Sequence, residues 1–275
     1  MHRCQLISTS AFITKEQELK ALDNCRKLEL EAEFKRIPRR FLQKWAGTPQ
    51  ERKEQLEDAA KSDATILWNC FGESGLIQFL NTINFRRLKG KSIIGSSDCT
   101  LLINKAYEKT KQVMIHGPNA STTIDLNSAA MLKQLIDGKP LKGSFHILQR
   151  TDKEKIKGII KGGNLISLTW GIGLKQEVKL SKCIVVFDKL GKDNYSTYNN
   201  LVQLKNTGSF RPKAIVLARI RTQKRKQLFE MLKELFPEIP IIHDLQFDNI
   251  TAKKLSFPIG GRCEINLKTR RISFL

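Results

Sequence analysis

The sequence contains a few residues able to perform acyl-transfer chemistry. In "KSIIGSSDCTLLINKAYEKT" (91–110), a β-branched apolar run passes through Gly-Ser-Ser-Asp into an amphipathic segment. A serine on a strand-to-helix turn is exposed, and helix N–H groups point at any negative charge formed there. Its hydroxyl becomes a nucleophile when a base takes the proton, a third group orients that base, and backbone N–H groups receive the oxyanion. Two readings of Ser97 fit. Either it is such a nucleophile, or Gly-Ser-Ser-Asp is a plain helix cap with acidic support in the first turn. The histidines are His2, His116, His146 and His243; His116 ("IHGP", 115–118) and His243 ("IPIIHD", 239–244) end strand-like runs. Cys70 and Cys99 flank the serine turn or the neighbouring loop, and a thiol nucleophile would need a cationic neighbour. The apolar period around Cys99 favours packing instead.

The elements that must position these groups alternate. Strand-like runs at 5–10, 64–69, 91–95 and 112–117 are separated by helical spacing at 15–28, 48–62, 75–83 and 99–110. Thr48, Pro49 and Glu51 form a clear helix start. Strand–helix alternation predicts a parallel sheet covered on both faces, with sites outside the carboxyl ends of its strands. "SSD", "HGP" and "NCFGESG" (69–75) all fall at such ends. Over 138–162 the texture turns to Gly and Lys without a helical period, which predicts a linker region. Beyond it, helices are expected at 163–172, 196–208 and 225–236, strands at 182–188, 213–220 and 239–244, and short β pieces to the end.

Composition bounds the class. With 275 residues, 40% hydrophobic and 27% charged, the chain can bury a sizeable core in one large domain or two ordinary ones. No run approaches eighteen apolar residues, and the N-terminus lacks an apolar secretory core, so neither a membrane span nor a signal is expected. The net charge is +21, but the basic clusters at 35–40, 85–91, 221–226 and 268–271 are scattered and not interleaved with aromatics. That distribution argues against nucleic acid as partner. The six cysteines (4, 25, 70, 99, 183, 263) show no Cys-x-x-Cys or metal-ligand spacing, so no metal is expected and reduced thiols in a cytosol are the simplest account.

Five segments in order, "WAGTPQERKEQLEDAAKSDATILWNCFGESG", "IIGSSD", "IHGP", "GGNL" and "FPIG", are similar to signatures of the serine LD-carboxypeptidases. That family includes the muramoyltetrapeptide carboxypeptidases and the microcin C resistance peptidases. The resemblance implies a Rossmann-like α/β domain, here 1–137, joined through 138–162 to a smaller mixed, mainly β domain, 163–275. It implies a cytoplasmic homodimer without metal or cofactor. The implied reaction removes the terminal D-alanine of a murein tetrapeptide in cell-wall recycling. It uses a Ser-Glu-His set.

Carried over residue by residue, the resemblance puts Ser97 at the nucleophile position and the Asp98 amide in the oxyanion hole. Ser96 stands where the family has an aromatic. Phe71-Gly72-Glu73-Ser74-Gly75 replaces Arg-Gly-Gly-Tyr-Gly, so Glu73 takes a glycine position where it would crowd or repel an oxyanion. Asp188 stands for the catalytic glutamate and Asn249 for the general-base histidine. His116, Gly163 and Asn164 belong to the implied substrate groove, although the "GGN" glycines could equally serve only to start a helix. Asparagine cannot accept a proton at neutral pH. Loss of the base in a comparable triad costs up to roughly a millionfold in turnover. Two functions follow from different classes: a murein-peptide carboxypeptidase weakened by that loss, or a non-catalytic relative that binds a peptide or protein. The departures fall on the chemistry and leave the scaffold, which favours the second; a basic nucleic-acid-binding protein is a distant third.

Overall fold

Local sequence sets the first half of the chain closely. The computed structural model describes residues 2–34, 44–191, 193–218, 225–248 and 250–275. β1 (His2–Ile7) leads to α1 (Lys15–Lys27), which starts from a capping box between Thr14 and Gln17, and then to β2 (Leu30–Phe34). α2 (Pro49–Lys61) begins as its sequence predicts. Thr48 Oγ1 accepts from the Glu51 amide at 3.2 Å, and Glu51 Oε2 accepts from the Thr48 amide at 2.8 Å. β3 (Ile66–Asn69), β4 (Ser92–Gly95), α3 (Cys99–Thr110) and β5 (Met114–His116) follow. Their strands are almost wholly buried, as continuous apolar runs in parallel sheets are.

One local expectation fails, and two elements, β2 and a helix after β5, have no counterpart in the sequence reading. Residues 75–83 have helical spacing, yet they form short 3-10 turns at Leu76–Gln78 and Leu80–Thr82, with a third at Phe85–Leu88. Phe79, at φ -133° and ψ 2°, leaves the helical region between the first two turns, so no regular helix runs through the segment. The sequence reading also assigns nothing to α4 (Leu126–Ile136), which is capped by Asp125 accepting from the Ser128 amide at 3.1 Å.

The second half departs further. Residues 138–162, read as a linker, hold β6 (Leu141–Gln149) and most of β7 (Lys155–Asn164). After them come α5 (Leu165–Trp170), β8 (Ile184–Lys189), α6 (Asn194–Asn206), β9 (Ala214–Leu217), α7 (Arg225–Leu235) and β10 (Ile241–Phe247). β11 (Phe257–Ile259), β12 (Arg262–Asn266) and β13 (Arg271–Phe274) close the chain. Two of the glycines that suggested a linker, Gly143 and Gly162, are sites of close backbone approach. A Cβ on Gly143 would stand 2.3 Å from the Gln246 carbonyl oxygen, and one on Gly162 would stand 2.2 Å from that of Val186. The lysines lie on the outward face of strands whose other face is buried.

The first sheet runs β11-β5-β4-β3-β1-β2, parallel throughout except for β11. Its parallel part has the doubly wound order 2-1-3-4-5 rather than 3-2-1-4-5-6. One apolar cluster packs α2 and α3 on one face through Leu56, Ala59, Leu102 and Ala106; a second packs α1 and α4 on the other through Ala21, Cys25, Ala129 and Leu132. The remaining strands close a seven-stranded barrel, β10-β6-β13-β12-β7-β8-β9. This is a fuller unit than the small, mainly β domain expected. The fold is thus mixed α/β, a mainly parallel sheet joined to a closed barrel. β11 leaves the barrel region to pair with β5, Phe257 opposite His116, and so ties the two parts together beside the end of β5. All six cysteines are free and buried, and no helix among the described residues is long and apolar enough to cross a membrane.

The close approach at Gly143 predicts a cost. Gly143→Ala should lower unfolding free energy by about 3 kcal/mol, because its Cβ meets rigid backbone rather than a side chain that can move. Gly90→Ala, where a Cβ meets open space, should cost only the positive φ, about 1 kcal/mol. Urea unfolding of both variants checks the contrast.

Candidate functional site

The carboxyl ends of β1, β3, β4 and β5 bring four polar loops together. At their centre is the turn after β4. Ser97 has φ 57°, the left-handed region that costs a non-glycine residue about 1–3 kcal/mol. The helix-cap reading of Ser97 fails: Asp98 occupies the N-cap position of α3, and no side chain caps it. Ser97 is instead lifted onto a strained turn between strand and helix.

Asp98 holds that turn from below. Fully buried, its Oδ2 accepts from Ser10 Oγ at 2.7 Å and from the Leu76 amide at 2.8 Å. Burial raises its pKa above the usual value, against these two hydrogen bonds and the charge of Arg52, which lower it. Arg52, on α2 and equally buried, donates to the Gly47 carbonyl at 2.7 Å, to Gly75 at 3.4 Å and to Gln78 Oε1. The loop from 71 to 79 is therefore fixed by two buried charges. Gly72 packs directly against the serine: a Cβ there would lie 2.7 Å from Ser97 Cβ and 3.1 Å from its Oγ. Glu73 adopts φ 81°, a glycine-like conformation, but its side chain is half exposed and 4.0 Å from Lys44 Nζ. It points to an ion pair at the surface.

A second polar chain supports the turn. Asn119 Oδ1 accepts from the Ser96 amide at 3.1 Å and from Asn69 Nδ2 at 3.2 Å; Asn69 Oδ1 in turn accepts from Thr9 Oγ1 at 2.9 Å. Sequence reasoning missed Asn119, although it follows the "HGP" segment directly. It also missed Thr100, whose Oγ1 accepts from the Asn164 amide at 3.1 Å. Asn164 itself caps α5 through the Ser167 amide, and Gly163, at φ 124°, leaves room for its neighbours. A Cβ on Gly163 would stand 2.8 Å from both His116 Nδ1 and Thr100 Oγ1. The "GGN" turn thus both starts a helix and lets β7 approach the site.

His116 and Asp188 meet here from the two parts of the fold. His116 is buried at the end of β5, its ring stacked on Phe257 at 4.6 Å, and Nε2 lies 3.1 Å from Asp188 Oδ2. Burial alone would raise the Asp188 pKa; the charge and hydrogen bond of His116, with the amides of 188 and 189, outweigh it and hold the carboxyl below the usual range. His116 Nδ1 is buried without a partner, as is Asp188 Oδ1. Among the described residues, no hydrogen bond joins Ser97 Oγ to any histidine. His243 is bonded to Arg225 and Asp244 and stacked on His146, on the barrel. Asn249 lies outside the described residues; its neighbour Asp248 turns outward to Arg271.

Ser96, His116 and Asp188 line a cleft of about 440 Å³. Its other walls come from Gly117 and Pro118, from 189–191 and the start of α6, and from Lys253, Lys254 and Leu255. Cations at 189, 253 and 254 line the same cleft, a feature scattered in sequence and joined only by folding. Among the described residues no three His, Cys, Asp or Glu side chains converge as a metal site.

The model of the LD-carboxypeptidase N-terminal domain matches residues 4–117, and that of the LD-carboxypeptidase C-terminal domain matches 157–265. A probable murein peptide carboxypeptidase of Bacillus subtilis (strain 168) is 24% identical over 240 residues, 80% of this chain and 75% of the relative. The solved structure of an MccF-like protein from Bacillus anthracis str. Ames superposes with a TM-score of 0.83 at 19% identity, covering 100% of this chain and 96% of that one. A muramoyltetrapeptide carboxypeptidase from Oxalobacter formigenes gives a TM-score of 0.82 at 20% identity, covering 99% and 97%. The nucleophile-type turn, the cleft beside it and the two matched domains together place this chain in the LD-carboxypeptidase family.

Proposed function

We propose that the cleft binds a short murein-type peptide and that LD-carboxypeptidase hydrolysis, the family's activity, is suppressed in this chain. One observation carries the reading. Asp188, at the position of the family's catalytic glutamate, is engaged by His116, and neither ring nitrogen of His116 serves Ser97. Nε2 faces Asp188, while Nδ1 lies against Gly163 and is buried without a partner. The residue that would take the serine proton is Asn249, which offers an amide and no base.

The other parts of a hydrolytic site remain. Ser97 is held in a strained, half-buried turn, and Gly72 leaves space beside its hydroxyl. By the family resemblance, the Asp98 amide would receive the carbonyl oxygen. Lys189, Lys253 and Lys254 give the cleft a positive wall matched to a ligand carboxylate. In this reading the frame orients a peptide terminus but moves no proton. Homodimerisation and a cytoplasmic place, both implied by the resemblance, belong to the same proposal.

Purified protein incubated with murein tetrapeptide should release D-alanine up to roughly a millionfold more slowly than an intact triad would. Peptide binding, followed by calorimetry, should survive Ser97→Ala. Release at an ordinary enzymatic rate, abolished by Ser97→Ala, overturns the suppressed reading in favour of an active carboxypeptidase. The double variant Asp188→Glu with Asn249→His should raise release above that of the natural chain.

The His116–Asp188 pair makes a separate acid prediction. Folding lowers the Asp188 pKa, so the unfolded chain binds more protons in acid. The pair's contribution is full above the ordinary value of 3.8 and is lost as pH falls through the folded value. Between pH 5 and pH 3, the thermal midpoint of the natural protein should therefore fall more steeply than that of Asp188→Asn. Parallel slopes would show the pair to be inert.

A further inference from the structure

A second cavity, of about 470 Å³, lies on the barrel and shares no lining residue with the cleft. It is lined by His146, Ile147, Leu148, Arg150, His243 and Arg270. Three separate segments converge on it. His146 and His243 are register partners on β6 and β10, Arg150 follows the end of β6, and Arg270 sits in the β12–β13 turn with φ 54°.

The chemistry of this wall is one-sided. Four of the six lining residues carry cationic or imidazole groups, and none is acidic. Among the described residues, Arg150 and Arg270 enter no ion pair. Asp244, next to His243 in sequence, is already paired with Arg225. The imidazoles are held in place. Their rings stack at 5.5 Å, and Phe229 packs on His243 at 4.8 Å. His243 Nδ1 lies 2.9 Å from Arg225 Nη2 and 3.1 Å from Asp244 Oδ2. Where Arg225 donates to Nδ1, the neutral ring carries its proton on Nε2. A solvated basic face would spread its charges over convex surface. Here two unpaired guanidiniums and two oriented imidazoles share one concavity, where mutual repulsion is relieved by an anion.

We infer that this cavity is a binding site for a phosphate group. A phosphate accepts several hydrogen bonds from different directions, and guanidinium forks match its oxygens. Donors from three segments suit that tetrahedral acceptor better than a planar carboxylate. The source is either free orthophosphate or a phosphomonoester on a small molecule. The site is separate from the peptide cleft and does not rest on its assignment.

The test follows the histidine ring signals by NMR in the intact chain, titrated with sodium phosphate at constant ionic strength. A saturable shift of the His146 and His243 signals is expected, absent with chloride alone. Arg150→Ala and Arg270→Ala should each weaken binding about tenfold, as loss of one charge-assisted contact does, with the thermal midpoint unmoved. Methyl phosphate bound as tightly as orthophosphate assigns the site to a monoester; much weaker binding assigns it to the free ion. A shift equal to that with chloride, or one undiminished in both variants, overturns the proposal. A response to a short oligonucleotide with none to orthophosphate overturns it too, in favour of a nucleic-acid-binding face.

Discussion

The Asp98 carboxylate is the point through which the candidate site is held. It is buried under the turn that it helps to form, and it accepts hydrogen bonds from Ser10 after β1 and from Leu76 in the loop after β3. Three segments distant in sequence are therefore fixed at one carboxylate oxygen, Oδ2, while Oδ1 is buried without a partner. A buried carboxylate without such partners would be costly, so its environment and the turn are mutually required. Arg52 completes the arrangement from α2 by holding the carbonyls of Gly47 and Gly75. The strained φ of Ser97 persists because this surrounding network fixes the residues on either side of it.

Around that anchor the two halves of the molecule meet through a few close contacts. β11 pairs with β5 and lays Phe257 on the His116 ring, while β8 brings Asp188 to its Nε2. Gly163 permits β7 to pass beside the same ring. The histidine is thus enclosed by an aromatic face, a carboxylate and a strand. Such an enclosure fixes a side chain well and leaves it little freedom to serve as a mobile proton carrier. His116 engages Oδ2 of Asp188 and leaves Oδ1 without a partner, so the proposed loss of hydrolysis rests on position 249, where asparagine offers no base.

The positive charge of the chain also resolves into distinct places. Some lysines are buried partners: Lys105 and Lys161 both pair with Glu108, joining α3 to β7. Others rim the cleft, and a separate set with two histidines lines the barrel cavity. A net charge of +21 is therefore no single field. The cluster at 35–40 and residues 221–224 of the cluster at 221–226 lie outside the described residues.

Much of this was legible in the sequence wherever a local rule applied. Thr48-Pro49-x-Glu51 specified the start of α2, because a capping box is satisfied within four residues. The apolar runs of β3, β4 and β5 specified interior strands of a parallel sheet, and five ordered motifs specified the family. Where the partners are distant, sequence reading failed for a physical reason. The glycines of 138–162 looked like linker because the backbones they admit, at Gln246 and Val186, lie elsewhere in the chain. The 75–83 segment kept a helical period, yet Phe79 leaves the helical region and the loop is held by Asp98 and Arg52 from elsewhere in the fold. The residue types at 97, 98, 116 and 188 were fixed by sequence alone. That Asp98 anchors, that Ser97 does not cap, and that His116 faces Asp188 rather than the serine were decided only when the strands from both halves were packed together, because burial and hydrogen-bond partnership are properties of that packing.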